Sequence, residues 1–333
     1  MIETYIALYR KYRPSTFEDV VGQEHIVTLL TSTIAQKKTS HAYLFCGGRG
    51  TGKTTVARIF ARDIGCNPED IIEIDAASNR GIDEIRELRE AVRTAPFSSP
   101  YKVYIIDEAH MLTKDAANAL LKTLEEPPTH VVFILATTDP DKLPQTIVSR
   151  CQKIVFKEPD IATLAKRLAY VAHKEGKKMG GESAELIARH GKGSYRDALG
   201  VLEQVLALSK EEVAHTEVVS LLGVPNKELV LKLLDAFCQK NIQEIGDSVN
   251  VLRTSSALDT YDECVELIRQ GLLIRVGKNT EEKGELFRLA KDYPHTIGSK
   301  TILALLEKRY LIEVSHMHAW TAFLAIFVSL VEE

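Results

Sequence analysis

The chain has 333 residues, of which 45% are hydrophobic and 26% charged, with a formal net charge of −4 at pH 7. That size allows two or three domains that each bury a core, and the balance excludes a disordered or fibrous chain. The slight acidity also excludes a broad basic field, so any contact with nucleic acid has to come from local groups.

Near the N-terminus, Tyr9-Arg10-Lys11-Tyr12-Arg13 interrupts any apolar stretch and argues against a secretory signal. From about residue 40 to 155, β-rich runs at 43–46, 71–74, 103–106, 131–136 and 153–156 alternate with stretches long enough for helices. Such alternation predicts a parallel sheet with helices on both faces. Between the first run and a helix expected from 55 to 61 lies the string GGRGTGKTT, which matches G-x-x-x-x-G-K-[ST] at every fixed position. Its members are Gly47, Gly48, Arg49, Gly50, Thr51, Gly52, Lys53, Thr54 and Thr55. Strand, glycine turn and helix N-terminus in that order make an anion site, because backbone N–H groups converge on phosphate oxygens and the helix dipole adds positive potential. Lys53 is placed for the β- and γ-phosphates, and the Thr54 hydroxyl for Mg²⁺. The chain is therefore expected to bind a nucleoside triphosphate.

The run at 103–106 ends in Asp107 and Glu108. In isolation an acid pair after a strand also reads as a helix cap. With a phosphate loop upstream, Asp107 is expected to hold Mg²⁺ through water and Glu108 to polarise the attacking water. The run at 131–136 leads into Thr137, Thr138 and Asp139, where a hydroxyl can reach the γ-phosphate, although Thr-Thr-Asp also starts turns. Arg150, between Ser149 and Cys151, and Arg196 each offer a rigid guanidinium fork for phosphate oxygens. By position alone, a lone arginine is more often a solvated surface residue.

After residue 156 the β-rich runs stop. Asp160 is expected to cap a helix to about 174, with Ile161, Leu164, Leu168 and Val171 on one face. Ser194 and Asp197 form a candidate capping box for a helix to about 208. A second all-helical stretch follows Gly223-Val224-Pro225. The expected division is 1–159 for the α/β nucleotide domain, 160–223 for a small helical lid and 224–333 for a C-terminal helical domain. Residues 314–331 carry no Asp, Glu, Lys or Arg, but Ser315, His316, His318, Thr321 and Ser329 break the segment. It reads as a buried helix and the chain as soluble, with no membrane span. His316 and His318 read as core or interface histidines on that helix rather than metal ligands. The five cysteines, Cys46, Cys66, Cys151, Cys238 and Cys264, are scattered and never spaced C-x-x-C, which favours a reducing cytoplasm.

Together these strings resemble the AAA+ ATPases, and within them the gamma/tau clamp-loader subunits of bacterial DNA polymerase III. The resemblance covers about residues 5 to 223. It is carried by YRKYRP at 9–14, Phe17 with VVGQ at 20–23, IDAAS at 74–78, YIIDEAHML at 104–112 and NALLKTLEEPP at 118–128, then ATTDP at 136–140, SRC at 149–151 and GSYRDAL at 193–199. The resemblance implies that Thr138 is the first sensor, Arg196 the second, and Arg150 a finger acting in trans on a neighbouring subunit's ATP. It implies that Arg13, Val20 and Val21 border the adenine, and that the region of Ser78, Asn79 and Arg80 presents backbone N–H groups to DNA phosphates. It also implies partners: delta- and delta-prime-like subunits in a hetero-oligomeric pentamer, a sliding clamp, primer–template DNA and the polymerase holoenzyme. The C-terminal third is similar to the family's collar only in length and helical character.

The sequence departs from the family in one respect. Typical members carry a four-cysteine zinc module between the phosphate-loop helix and the second strand, yet only Cys66 lies between Thr55 and Asp75, so no zinc is expected. The chain also stops after the collar-like domain, without the extensions of the family's longer form. An archaeal-type small subunit shares the SRC motif and is the nearest rival. A non-hydrolysing stator-like scaffold is a second rival, against which intact Lys53, Thr54, Asp107 and Glu108 argue. A branch-migration helicase is disfavoured because no β-hairpin of a winged helix appears after residue 225.

Overall fold

The computed structural model describes residues 5–78, 81–277 and 284–332, and the chain divides into two compact units, 1–218 and 219–333. The first unit opens with α1 (Leu8–Lys11) and α2 (Glu24–Ala35). Alternation then follows through β1 (Ala42–Cys46), α3 (Lys53–Asp63), β2 (Ile71–Asp75), α4 (Ile82–Val92), β3 (Lys102–Asp107), α5 (Lys114–Glu125), β4 (Val131–Thr137), α6 (Gln145–Val148) and β5 (Gln152–Val155). The five strands form one parallel sheet in the order β2-β3-β4-β1-β5.

Both faces of that sheet are covered, which is why β1 and β4 read as unbroken apolar runs and are buried throughout. Tyr43, Phe45, Val132 and Ile134 pack with Ile26 and Leu30 of α2 and with Val56 and Phe60 of α3. Leu44, Tyr104, Phe133 and Leu135 face the other way, onto Leu88 of α4 and Ala116 and Leu120 of α5. Because β1 sits between β4 and β5 while β2 lies at the far edge, the chain reverses its strand order after β1. Parallel sheets open a crevice at the carboxyl ends of their strands at such a point.

The unit continues with α7 (Ile161–Lys174), β6 (Lys178–Met179), α8 (Gly181–His190), α9 (Tyr195–Leu208) and β7 (Glu212–Val213), and α10 (His215–Leu222) runs across the boundary into the second. Asp160 caps α7 as expected, accepting the Thr163 N–H at 2.7 Å. Two expectations need correction. β-structure does not end at residue 156, because β6 and β7 pair in parallel, Lys178 opposite Glu212 and Met179 opposite Val213. Two-residue strands are too short to show a period of two. The capping box of α9 also has only one arm: Ser194 Oγ accepts the Asp197 N–H at 3.2 Å, while the Ser194 N–H donates to the Gly191 carbonyl at 2.8 Å.

The second unit holds α11 (Lys227–Cys238), α12 (Ile242–Leu252), α13 (Ala257–Arg275), α14 (Glu285–Asp292), α15 (Ser299–Val314) and α16 (Ala319–Glu332). Phe237, Tyr261, Phe323 and Phe327 pack at its centre, Phe323 stacked on Phe327 and the others edge to face, and the Tyr261 hydroxyl donates to the Leu305 carbonyl at 2.7 Å. α16 buries Phe323, Ile326 and Phe327, as a core helix should. His316 and His318, however, do not lie on an apolar helix. They occupy an exposed 3₁₀ turn between α15 and α16, where His316 takes φ +38° and breaks the helical path. Among the described residues no helix is long and apolar enough to cross a membrane.

Candidate active site

The phosphate loop leaves β1 at the crevice, and α3 starts at Lys53, two residues before the expected start at Thr55. Gly52 sets that boundary. It takes φ +104° as the N-cap of α3, a conformation that L side chains rarely adopt, and it brings no side chain to satisfy the first-turn N–H groups. Those donors remain directed at whatever enters the loop. Gly50 meets a second constraint. A Cβ there would lie 2.0 Å from Ser194 Oγ, and the Gly50 carbonyl accepts the Tyr195 N–H at 3.1 Å. The N-terminus of α9 therefore rests directly on the phosphate loop.

Lys53 is 6% exposed, and its ammonium donates to the Gly47 and Gly48 carbonyls at 2.8 Å each. Burial lowers its pKa from the ordinary lysine value, against the opposing pull of Glu108 and Asp107. The Thr54 hydroxyl donates to Asp107 Oδ2 at 2.6 Å, which brings together the two oxygens expected around Mg²⁺. This donor set, a hydroxyl beside a carboxylate below an uncapped helix end, fits a hard cation on an anionic phosphate. Glu108 takes left-handed backbone angles, φ +48° and ψ +44°, and its N–H donates to Asp107 Oδ1 at 3.0 Å. A non-glycine residue in that region costs about 1–3 kcal/mol and persists where its surroundings fix it.

A cleft runs along this edge. Arg13, Val20, Val21, Arg49, Gly50, Thr51, Gly52, Lys53, Thr54, Thr55, Asp107, Glu108 and Arg196 all line it. Gly47 and Gly48 lie behind Lys53, as its acceptors. Thr138 is beside the cleft rather than in its lining, with its hydroxyl 3.2 Å from Glu108 Oε2. Arg150 stands apart, held by the Thr146 carbonyl at 2.7 Å and the Glu125 carboxylate at 2.6 Å. Of the three residues expected at the DNA, Asn79 and Arg80 lie outside the described residues. Ser78 Oγ donates to Asp75 Oδ2 at 3.3 Å.

Other parts of the wall come from residues to which sequence reasoning gave no role, among them Tyr9, Tyr12, Arg167 and Tyr195. Arg167 of α7 donates to the Tyr12 carbonyl at 2.8 Å, and the Tyr12 hydroxyl meets the Glu175 carboxylate. Burial, followed by Glu175, raises the Tyr12 phenol to about 12. The Tyr195 hydroxyl donates to the Val21 carbonyl at 2.9 Å, and its pKa is raised by burial to about 12. The Arg196 guanidinium lies 5.8 Å from the centre of the Tyr9 ring. Tyr9 and Tyr12 fall in the first family string, and Arg167 flanks the apolar face carrying Leu164 and Leu168, so each left a trace in the sequence but no partner.

A phosphate loop at the carboxyl edge of a parallel sheet, with a helical lid resting on it, defines an AAA+ nucleotide-binding protein. The model for "DNA polymerase III, delta subunit" matches residues 22–80 and 68–160, and that for the "DNA polymerase III clamp loader subunit, ATPase lid domain" matches 163–211. The gamma subunit of DNA polymerase III from Buchnera aphidicola subsp. Acyrthosiphon pisum is 37% identical over 80% of this chain and 79% of its own. The tau subunit of Bacillus subtilis (strain 168) is 38% identical over 97% of this chain. The chain belongs to the gamma/tau family of DNA polymerase III clamp-loader subunits. It spans 62% of the B. subtilis relative's length. The Thermotoga maritima RuvB Holliday junction branch migration motor is similar in fold, with a TM-score of 0.55 at 21% identity over 68% of this chain and 78% of that one.

Proposed function

We propose that this chain binds and hydrolyses ATP at subunit interfaces as a motor subunit of a sliding-clamp loader, opening the clamp and placing it on primer–template DNA. The observation that carries the reading is the convergence of Lys53, the Thr54–Asp107 pair and Glu108 at one end of the cleft. A degraded site, as in a scaffold subunit, would have no reason to keep all of them. Arg13, Val20 and Val21 border the base, Lys53 and the loop N–H groups hold the phosphates, and Arg196 reports the γ-phosphate from the lid. Thr54 and Asp107 hold Mg²⁺, which when bound neutralises charge on the phosphate oxygens. Glu108 orients the attacking water, and Thr138 supports it. Arg150 is placed outside its own cleft, which suits a group that serves the neighbouring subunit.

The same reading divides the chain at 159/160 and 223/224 and assigns 224–333 to assembly with delta- and delta-prime-like subunits in a pentamer. The proposed setting is the cytoplasm. The steady-state ATPase, alone and with partner subunits, clamp and primed DNA, tests it. Strong stimulation by clamp plus primed DNA is expected, and Arg150→Ala should abolish it while leaving that subunit's own nucleotide affinity unchanged. Mixtures of mutant and wild-type subunits should place the defect in trans. Equal activity with any DNA, indifferent to the clamp, would assign the ATPase to another AAA+ class.

We also propose that the chain holds no zinc. The connector between α3 and β2 is closed by protein groups, with the Cys66 thiol donating to the Tyr101 carbonyl at 3.2 Å and Asp70 accepting the Phe97 N–H at 2.6 Å. Elemental analysis of the purified chain is expected to find well under one zinc per chain, and a stoichiometric value would refute this.

A further inference from the structure

The 3₁₀ turn that follows Glu108, Ala109–Met111, carries His110, whose side chain is 11% exposed. Its Nδ1 lies 3.0 Å from Thr137 Oγ1, at the end of β4, and 3.5 Å from Glu108 Oε2. One ring nitrogen thus faces two oxygens. A proton on Nδ1 is attracted by the carboxylate's negative charge, and the same nitrogen pairs with the Thr137 hydroxyl. Thr137 is fully buried, and its hydroxyl oxygen also accepts the Asp139 N–H at 3.0 Å, so its position is fixed by the strand end. The Thr138 hydroxyl approaches the same Glu108 oxygen, Oε2, at 3.2 Å. The Thr138 hydroxyl thus donates to Oε2 while the His110 ring nitrogen flanks the same oxygen, and no described residue hydrogen-bonds Oε1.

We infer that His110 is a positioning residue for Glu108. With Thr138 it holds Oε2 against the end of β4, fixes the carboxylate's rotamer, and leaves Oε1 to accept a proton from water. This rests on the proposal that Glu108 orients the attacking water. A side chain that touches neither nucleotide nor water acts on the barrier alone, through the geometry of the group it holds. Loss of one such polar contact corresponds to a reduction in kcat of about tenfold.

The test compares His110→Leu with His110→Asn, whose amide can place a donor where Nδ1 stood, each within the full complex. His110→Leu is expected to lower kcat about tenfold, with KM for ATP and Tm close to wild type, and His110→Asn to recover to within about threefold of wild type. Wild-type kcat in His110→Leu overturns the inference, as does equal impairment of both variants or a rise in KM that matches the loss. If His110→Leu fails to fold, His110→Ala takes its place, with a kcat loss of about tenfold expected and a wild-type kcat overturning the inference. Glu108→Gln measured in parallel separates the two claims. If it keeps wild-type turnover, the parent reading of Glu108 fails. If it is inactive while both His110 variants are normal, only the positioning role fails.

Discussion

Lys53→Ala is expected to abolish nucleotide binding while barely altering the stability of the nucleotide-free chain. The Lys53 ammonium is buried, and its folded pKa lies below the ordinary lysine value because desolvation outweighs the nearby Glu108 and Asp107. Its removal relieves that burden but leaves the Gly47 and Gly48 carbonyls without their donor. The two effects oppose each other and are each on the order of 1 kcal/mol, so Tm should move by only a few degrees. Phosphate binding has no such compensation. Exchanging two loop carbonyls for phosphate oxygens turns neutral acceptors into charged ones, and each charge-assisted bond contributes about 1.5–3 kcal/mol. An affinity loss of at least about a hundredfold follows, read by titration calorimetry. The stabilisation that ATP gives the wild type, about 2.7 kcal/mol at a hundred times Kd and read as a rise in Tm, should vanish. Unchanged affinity would mean that the loop is not the anion site.

Glu108→Gln separates binding from chemistry. Glutamine keeps the shape of the side chain and an oxygen for the Thr138 hydroxyl, so the network at the end of β4 survives. It cannot take a proton from water, and turnover should fall by about a hundredfold or more. Nucleotide affinity should stay the same or tighten by a fewfold, since a negative charge facing the phosphates is removed. Single-turnover hydrolysis together with equilibrium binding measures both. Turnover within a fewfold of wild type would transfer the water-orienting role to another group.

The lid gives these two variants a shared context. The Tyr195 N–H rests on the Gly50 carbonyl, and the Tyr195 hydroxyl donates to Val21, so one residue of α9 touches both the phosphate loop and the N-terminal wall of the cleft. On the far side Arg167 of α7 donates to Tyr12, and the Leu8 N–H donates to Glu203 of α9 at 3.0 Å. The N-terminal segment is thereby fastened to the lid helices. Arg167 and Arg196 of the lid meet Tyr12 and Tyr9, which lie on the same N-terminal segment as Arg13, so movement of the lid would shift these side chains together.

The phosphate loop, the alternating sheet and the family strings were legible in the sequence because each is local. Glycines at fixed spacing dictate the loop's backbone, and unbroken apolar runs dictate strands covered on both faces. Acid residues at a strand's end carry their position with them, so Asp107 and Glu108 were found without a fold. The tertiary structure alone decided which ends meet. Glu108, His110, Thr137 and Thr138 come from different strand ends and converge only because β3 pairs with β4. Tyr12 and Arg167 lie 155 residues apart, and the packing of the N-terminal segment on α7 makes them neighbours. The exposed turn at His316 and the two-residue pairing of β6 with β7 escaped for a related reason. Periods of 2 and 3.6 residues report which face of an element is buried, but say nothing of segments shorter than one period or of contacts between elements.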